Sequence, residues 1–150
     1  MPREITAFSN PLVKYARELR DKKHRRGARQ FMAEGLRILT EARETGRLPR
    51  ILFYAAANAD HPLVHALSID VEMAGGESIQ TTPDILSKLS GKDNPQAVVG
   101  VFDEFDRTLA DLDRNSAGIW LVAERLRDPG NLGTILRTAD AVGAGGLILI

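Results

Sequence analysis

One stretch near the end of the sequence decides the fold, and it reads Arg127-Asp128-Pro129-Gly130-Asn131-Leu132-Gly133-Thr134-Ile135-Leu136-Arg137-Thr138-Ala139-Asp140-Ala141-Val142-Gly143. An apolar run over residues 119–123 precedes it, and a second over residues 147–150 follows it. Pro129 and Gly130 interrupt regular structure after the first run. We therefore predict the order strand, loop, helix, strand, which is the βαβ unit of a parallel sheet.

The predicted helix has two different faces. Asn131 is expected to cap its start, and Gly143 is placed just past its end. Gly133, Arg137 and Asp140 lie on the face directed away from the core. Open α/β sheets bind ligands outside the carboxyl ends of their strands, so an arginine at this place is positioned to meet a ligand. The apolar face, which repeats at three- and four-residue spacing, consists of Leu132, Ile135, Leu136, Ala139 and Val142.

This stretch resembles the first signature motif of the SpoU (TrmH-like) branch of the SPOUT RNA methyltransferases. That motif reads Asp-Pro-x-Asn-x-Gly-x-Ile-x-Arg-Thr-Ala and ends in a small-residue turn. The resemblance implies transfer of a methyl group from S-adenosylmethionine to a ribose 2′-hydroxyl of rRNA or tRNA. It also implies a trefoil-knot domain through which the full-length protein forms a homodimer. The matching residues are Asp128, Pro129, Asn131, Gly133, Ile135, Arg137, Thr138, Ala139 and Gly143.

Arg137 and Asn131 are the catalytic candidates. The resemblance implies that Arg137 meets the RNA phosphate near the target ribose and helps to activate the 2′-hydroxyl. An alcohol is a weak nucleophile until its proton is drawn away or the emerging alkoxide is stabilised. A guanidinium is cationic at neutral pH, so it is a better anion clamp than a base. Asn131 would orient the substrate or the arginine in addition to capping the helix. The alternative for Arg137 is a surface ion pair with Asp140 or Glu124.

The two later motifs that grip S-adenosylmethionine in this family are absent from the 150 residues. The sequence stops at Ile150, inside an apolar run that should be a central strand. We therefore expect the 150 residues to belong to a longer protein, with the donor-binding residues beyond Ile150. The chain by itself is expected to bind RNA weakly and to lack both donor binding and turnover.

The formal net charge of zero conceals a strong asymmetry. Residues 1–50 carry 13 Lys and Arg against 6 Asp and Glu, whereas residues 51–150 carry 7 against 14. A basic end on a neutral chain indicates contact with a polyanion such as nucleic acid. A solvated basic helix is the alternative. The candidate RNA-binding residues, on a first helix and in the loop after it, are Lys14, Arg17, Lys22, Lys23, Arg25, Arg26 and Arg29.

Helices alternate with short strands over residues 1–102, which predicts an α/β domain with a largely parallel sheet. A first helix is expected from Pro11, after a Ser9 or Asn10 cap, and Gly27 is expected in a turn. The expected strands are residues 30–33, 51–55, 69–73, 79–82 and 97–102. Further helices are expected after Gly35, over 62–67 and, after a Thr82 cap, over 83–89.

The N-terminal part also resembles SpoU proteins, whose substrate-binding domain is a small α/β domain related to ribosomal-protein-type RNA binders. The matching segments are residues 9–14, 31–37, 89–90 and 95–101. Ala97 departs from the family pattern, which often has a glycine there. The predicted organisation is an RNA-binding domain over 1–102, an acidic linker over 103–116, and the first βαβ part of the SPOUT domain over 117–150.

Four other features have weaker functional interpretations. Glu34, between a strand and a helix, is interpreted as a favourable charge at a helix N-terminus. His61 and His65 share a four-residue spacing, but Pro62 intervenes and no third ligand is near, so no metal site is predicted. Residues 143–146 precede a strand and are interpreted as a turn. Trp120 is assigned to core packing in preference to base stacking.

Composition excludes several classes of protein. The absence of cysteine rules out disulfides, thiolate nucleophiles and cysteine-ligated zinc. No apolar run is long enough to span a bilayer, and a cytoplasmic location without membrane association is expected. Two alternatives to the methyltransferase stay open: a non-catalytic RNA-binding module of ribosomal-protein type, and a nucleotide-binding α/β protein that uses the loop 130–133 for a phosphate.

Overall fold

The computed structural model describes residues 3–93, 95–105, 108–116 and 118–150. The chain divides into two compact units, unit 1 (residues 1–105) and unit 2 (residues 106–150). Residues 106, 107 and 117, which belong to the predicted linker and the predicted start of the second domain, lie outside the described residues. The linker over 103–116 therefore stays a prediction.

Unit 1 contains a five-stranded sheet in the order β1-β4-β3-β5-β2. β1 and β3 each pair with β4 in parallel, whereas β5 runs antiparallel to both β3 and β2. β1 was not predicted from the sequence. The strands are β1 (Arg3–Ile5), β2 (Gln30–Glu34), β3 (Ile51–Ala55), β4 (Glu77–Thr81) and β5 (Val98–Asp103).

The prediction of a largely parallel sheet is confirmed for four of the five strands, but β5 reverses direction and makes the sheet mixed. The helix between β4 and β5, α5 (Pro83–Ser90), has only eight residues. Its length of about 12 Å is shorter than the five-residue strands beside it. The chain therefore enters β5 at the end where β3 finishes, and the Ala55 amide donates to the carbonyl of Ala97 at 3.0 Å. A parallel β5 would need a longer crossover to the opposite end.

Most α-helices of unit 1 begin at side-chain caps, and α3 (Leu36–Glu44) is the exception among those described. α1 (Pro11–Glu18) starts after Asn10, whose Oδ1 accepts from the Leu12 amide at 2.9 Å, as predicted. α5 starts after the predicted Thr82 cap. α3 follows Gly35, which has a φ of 109°.

Two predictions of local structure are wrong. The segment around Gly27 is a helix, α2 (Lys22–Ala28), because Asp21 caps its first turn and accepts from the Lys23 amide at 2.7 Å. The predicted short helix over 62–67 and strand over 69–73 form one helix, α4 (Pro62–Met73). Its buried residues Val64, Leu67 and Val71 recur at helical spacing, so one face packs on the sheet throughout.

Both faces of the sheet are covered. Residues of α1 and α5 pack with Phe53 on one face, and residues of α3 and α4 pack with Leu52 and Tyr54 on the other. All five residues of β3 are buried, which confirms the strand that the apolar run predicted. Unit 1 therefore has a core on each side of one sheet.

Unit 2 is the predicted βαβ unit. β6 (Leu121–Ala123) and β7 (Leu147–Leu149) pair in parallel, with Leu121 opposite Leu147, and α6 (Pro129–Ala141) connects them. Gly143, with a φ of 66°, follows the end of α6 as expected. Ala139 is the only buried hydrophobic residue among the described residues of unit 2. In the described part of the chain, no helix combines the length and the apolar character needed to cross a bilayer.

Candidate functional site

Five of the predicted RNA-binding residues form what we call the cationic surface of α1 and α2. All five side chains are exposed, and none forms a hydrogen bond or ion pair with another described residue. Unpaired cations retain their full charge for an external anion, whereas paired ones are partly neutralised. The cationic surface consists of Lys14, Arg17, Lys22, Lys23 and Arg26.

Two of these cations occupy an unfavourable place in the helix. Lys22 and Lys23 lie in the first turn of α2, where the partial positive charge of the helix end repels cations. The carboxylate of Asp21 offsets part of this repulsion. Hydrogen bonds from the backbone amides of Lys23 and then His24 lower the pKa of Asp21 below its usual value. Local electrostatics alone would not select lysines here, which favours an external anion as their partner.

Arg25 and Arg29 differ from the other five candidates. The Arg25 guanidinium donates to the carbonyl oxygens of Leu19 at 3.0 Å and Arg20 at 2.6 Å, so it joins α2 to the end of α1. Arg29 has a φ of 54° and its Nε lies 3.9 Å from a carboxylate oxygen of Glu104. These contacts give both residues a structural role in unit 1, and their contact with RNA stays a prediction.

The predicted cap of α6 is wrong. The helix begins at Pro129, and Asp128 is the capping residue, since its Oδ1 accepts from the Gly130 amide at 2.9 Å. A residue before proline is restricted to extended conformations, which are those of a capping residue, and Asp128 has φ −94° and ψ 119°. The dipeptide Asp128-Pro129 was therefore the signal that could have identified this cap.

Asn131 consequently lies inside the first turn of α6 with an exposed side chain. Its amide is not needed to start the helix and is accessible to an external group. Residues 130–133, which the nucleotide-binding alternative treats as a loop, belong to the first turn of the helix.

Arg137 is exposed on α6, and its side chain lies back toward the start of the helix. Its Nη2 donates to the hydroxyl of Thr134 at 3.2 Å. A β-carbon added at Gly133 would lie 3.5 Å from Arg137 Nη1, which is an ordinary van der Waals contact. Thr134 in turn donates to the carbonyl of Gly130 at 3.0 Å. Among the described residues, the ion pair of Glu124 is with Arg125, and neither Glu124 nor Asp140 pairs with Arg137.

The weaker candidates have structural partners. Glu34 forms an ion pair with Lys92. His61 caps α4, and its Nδ1 accepts from the Leu63 amide at 3.2 Å. Within the described ranges, no group of three or more His, Cys, Asp and Glu side chains is arranged to hold a metal. The ring of Trp120 lies over Gly146, where an added β-carbon would be 2.9 Å away.

Unit 2 contains a cavity of about 600 Å³ beside β7. Its lining is apolar except for Arg114 and the indole of Trp120, whose Nε1 has no acceptor among the described residues. S-adenosylmethionine carries an ammonium and a sulfonium, and no carboxylate in this lining would meet either cation. These residues do not by themselves form a site for that donor.

Known proteins resemble the chain over nearly its whole length. An uncharacterized tRNA/rRNA methyltransferase of Synechocystis is 36% identical over 152 residues, which cover 97% of this chain and 52% of that protein. A 23S rRNA (uridine(2479)-2′-O)-methyltransferase of Streptomyces viridochromogenes is 31% identical over 151 residues, which cover 98% of this chain and 50% of that protein. The AdoMet-bound rRNA methyltransferase from Sinorhizobium meliloti superposes with a TM-score of 0.87 at 39% identity.

The last superposition covers 98% of this chain and 54% of that protein, so the chain spans about half the length of the proteins it matches. Residues 10–100 match the family model of the MRM3-like substrate binding domain. This range contains most of unit 1, including the cationic surface, and it confirms the family resemblance seen in the sequence. The chain belongs to the SpoU (TrmH) family of rRNA 2′-O-methyltransferases, and it corresponds mainly to their substrate-binding N-terminal part.

Proposed function

We propose that this chain is the part of an RNA ribose 2′-O-methyltransferase that binds the RNA and presents it for methylation. In this proposal the cationic surface of α1 and α2 binds the phosphate backbone of rRNA or tRNA. Arg137 then holds a phosphate next to the target ribose. S-adenosylmethionine, bound by residues outside this chain, supplies the methyl group.

The observation that carries the RNA-binding role is the set of five exposed, unpaired cations inside a substrate binding domain. Contacts between cations and phosphates release counterions, which gives strong salt dependence and little sequence selection. The cationic surface therefore supplies affinity and orientation. The choice of nucleotide has to come from other contacts.

The affinity of residues 1–150 for an RNA hairpin, measured by fluorescence anisotropy at several salt concentrations, tests this role. We expect the triple variant Lys22→Ala/Lys23→Ala/Arg26→Ala to reduce the slope of log affinity against log salt by about 2 to 3. The matched control removes three cations that are already paired with carboxylates: Arg3, Arg37 and Arg50. The proposal fails if the control reduces the slope as much as the triple variant does.

The role of Arg137 rests on its exposure and its defined orientation. A guanidinium bonded to the Thr134 hydroxyl presents its remaining N–H donors to an anion in a planar fork. Such a group stabilises a phosphate and, through it, the position of the ribose hydroxyl whose charge develops during transfer. Asn131, exposed six residues earlier on the same helix, is proposed to orient the same RNA segment.

A methyl-transfer assay with the whole protein tests the role of Arg137. We expect Arg137→Ala to lower kcat by about 100-fold or more, as loss of an electrostatic contact in the transition state does. Arg137→Lys keeps the charge but loses the planar fork of N–H donors, so its rate should lie between those of Arg137→Ala and the unaltered protein. A change in KM alone would assign Arg137 to RNA binding. Calorimetric titration of residues 1–150 with S-adenosylmethionine should show no tight binding.

We also propose that the whole protein acts in the cytoplasm and forms a homodimer. Sedimentation of the whole protein tests the assembly. A non-catalytic RNA-binding module is the second candidate, favoured by the match of residues 10–100 to a substrate-binding domain alone. Absence of methyl transfer from the whole protein, with RNA binding retained, would support it.

A further inference from the structure

A groove of about 420 Å³ lies on unit 1 beside β2. Its apolar lining includes Met32, Leu89 and Val99, which all pack on the face of the sheet that α1 and α5 cover. β2 is an edge strand and, among the described strands, pairs only with β5. Ligand sites typically measure about 300–1,000 Å³, so this groove has room for one nucleotide and not for several.

Two guanidiniums line the same groove. Arg25 is fixed there by its bonds to the carbonyls at the end of α1. Arg20 is packed against Gly91, where an added β-carbon would lie 2.2 Å from its Nη2. Gly91 has a φ of 70° and ends α5. The groove therefore has an apolar interior and cations held in place by the fold.

A carboxylate completes the lining. One oxygen of Glu34 pairs with Lys92, but Oε2 is buried and has no hydrogen-bond partner among the described residues. An acceptor that is buried without a donor costs stability, and each such group in a native protein calls for an explanation. A ligand that brings an N–H donor into the groove would satisfy this oxygen.

We infer that the groove binds one unpaired nucleobase of the RNA, with the base against the apolar lining, an amino group of the base on Glu34, and an adjacent phosphate on Arg20. This inference rests on the proposed RNA-binding function and adds a site that reads the base. A base inside a duplex cannot enter, because its faces are stacked and its edge is paired. RNA recognition that depends on sequence commonly uses such unstacked bases.

The first test uses residues 1–150 and three RNA hairpins of the same stem: one fully paired, one with a single bulged adenosine, and one with an abasic nucleotide at the bulge. The abasic hairpin keeps the phosphates and the bend but removes the base. We expect the adenosine bulge to bind about tenfold more tightly than the abasic bulge, as loss of one base contact does. If the unaltered protein binds these two hairpins with equal affinity, the inference is overturned.

Filling the groove is the second test. Ser90 lies at the end of α5 and lines the groove, so Ser90→Tyr should remove the preference for adenosine over the abasic site. The matched control is Thr45→Tyr, at an exposed position after α3 on the opposite face of the sheet. Both variants keep the charge, and thermal unfolding verifies that they fold. A preference that survives in a folded Ser90→Tyr variant would overturn the site.

Removing the amino group of the bulged adenosine tests the role of Glu34. Replacing the bulged adenosine by purine ribonucleoside removes only the amino group. We expect this to weaken binding about tenfold in the unaltered protein and to have no effect in Glu34→Leu. If the Glu34→Leu variant still binds the adenosine bulge more tightly than the purine bulge, the assignment of Glu34 is contradicted. RNA binding without any base preference overturns the groove alone, whereas no binding of any hairpin overturns the proposed function as well.

Discussion

The two units of the chain differ most in how much of their apolar surface is buried. In unit 1 the central strand β3 is buried over its whole length, and helices cover both faces of the sheet. In the described part of unit 2, only Ala139 is buried, and side chains such as Leu136 and Val142 on α6 are about half exposed. The family motif therefore lies in the unit with the weaker core.

The largest expected effect comes from the core of unit 1. Phe53 is completely buried in β3, so Phe53→Ala should lower the free energy of unfolding by about 3–5 kcal/mol. Leu136, which is 49% exposed on α6, is the comparison residue in unit 2. Leu136→Ala should cost less than about 1 kcal/mol. Urea unfolding followed by circular dichroism measures both, and similar losses would break the contrast between the units.

Hydrogen exchange should show the same contrast without any mutation. Amides of β3 should exchange only through global unfolding, whereas those of β7 should exchange through local opening, because isolated two-stranded sheets are marginally stable. We expect protection to differ by about 100-fold or more between these strands. Mass spectrometry of peptic fragments resolves the two segments. Equal protection would show that unit 2 is as stable as unit 1.

The start of α6 gives an intermediate effect and separates two interpretations of the motif. Asp128→Ala removes the capping bond to Gly130 and should destabilise α6 by about 1 kcal/mol. Asn131→Ala should have little effect on the helix, because Asn131 lies after its start. Exchange rates of the α6 amides measure both. A larger effect from Asn131→Ala would restore Asn131 as the cap.

The smallest expected effect is a pH-dependent one in unit 1. Hydrogen bonds from Arg50 and then Gln30 lower the pKa of Asp103. A lowered pKa means that this carboxylate stabilises the fold above its unfolded pKa of about 3.9. That contribution is lost as the pH falls through the folded pKa. Since the groups are about half exposed, Asp103→Asn should cost only about 0.5 kcal/mol at pH 7.

Urea unfolding at several pH values measures this cost, which should shrink below about pH 4. Asp140→Asn on α6 is the matched control at pH 7, because Asp140 has no ion pair with a described residue. A cost for Asp103→Asn that is constant over the whole pH range would contradict the ion-pair explanation.

Sequence patterns predicted those elements whose signals are local. The Thr82 cap, the buried run of β3 and the glycine after α6 follow from the sequence alone, as does Asn10 as one of two possible caps of α1. β1 was missed because three residues with one buried side chain, Ile5, carry no periodicity. Its position depends on residues that are distant in the chain, because it pairs with β4 and the Thr81 hydroxyl donates to the Ile5 carbonyl.

The candidate sites divide in the same way. The cations of α1 and α2 were visible as charges, but only the structure separates the five unpaired ones from Arg25, which is bonded to the end of α1. Arg137 was identified from the motif, whereas its contact with Thr134 was missed. Spacing of three residues on a helix could have indicated that contact.

By itself, the sequence determined the family, most of the helices and strands, and the charge asymmetry, because motifs, caps and runs act between residues close in the chain. The tertiary structure decided the direction of β5, the start of α6, and the groove in which Arg20, Glu34 and Met32 meet. Each of these depends on the length of a connection or on the packing of distant segments. Such quantities are set by the whole fold, and no local window of sequence contains them.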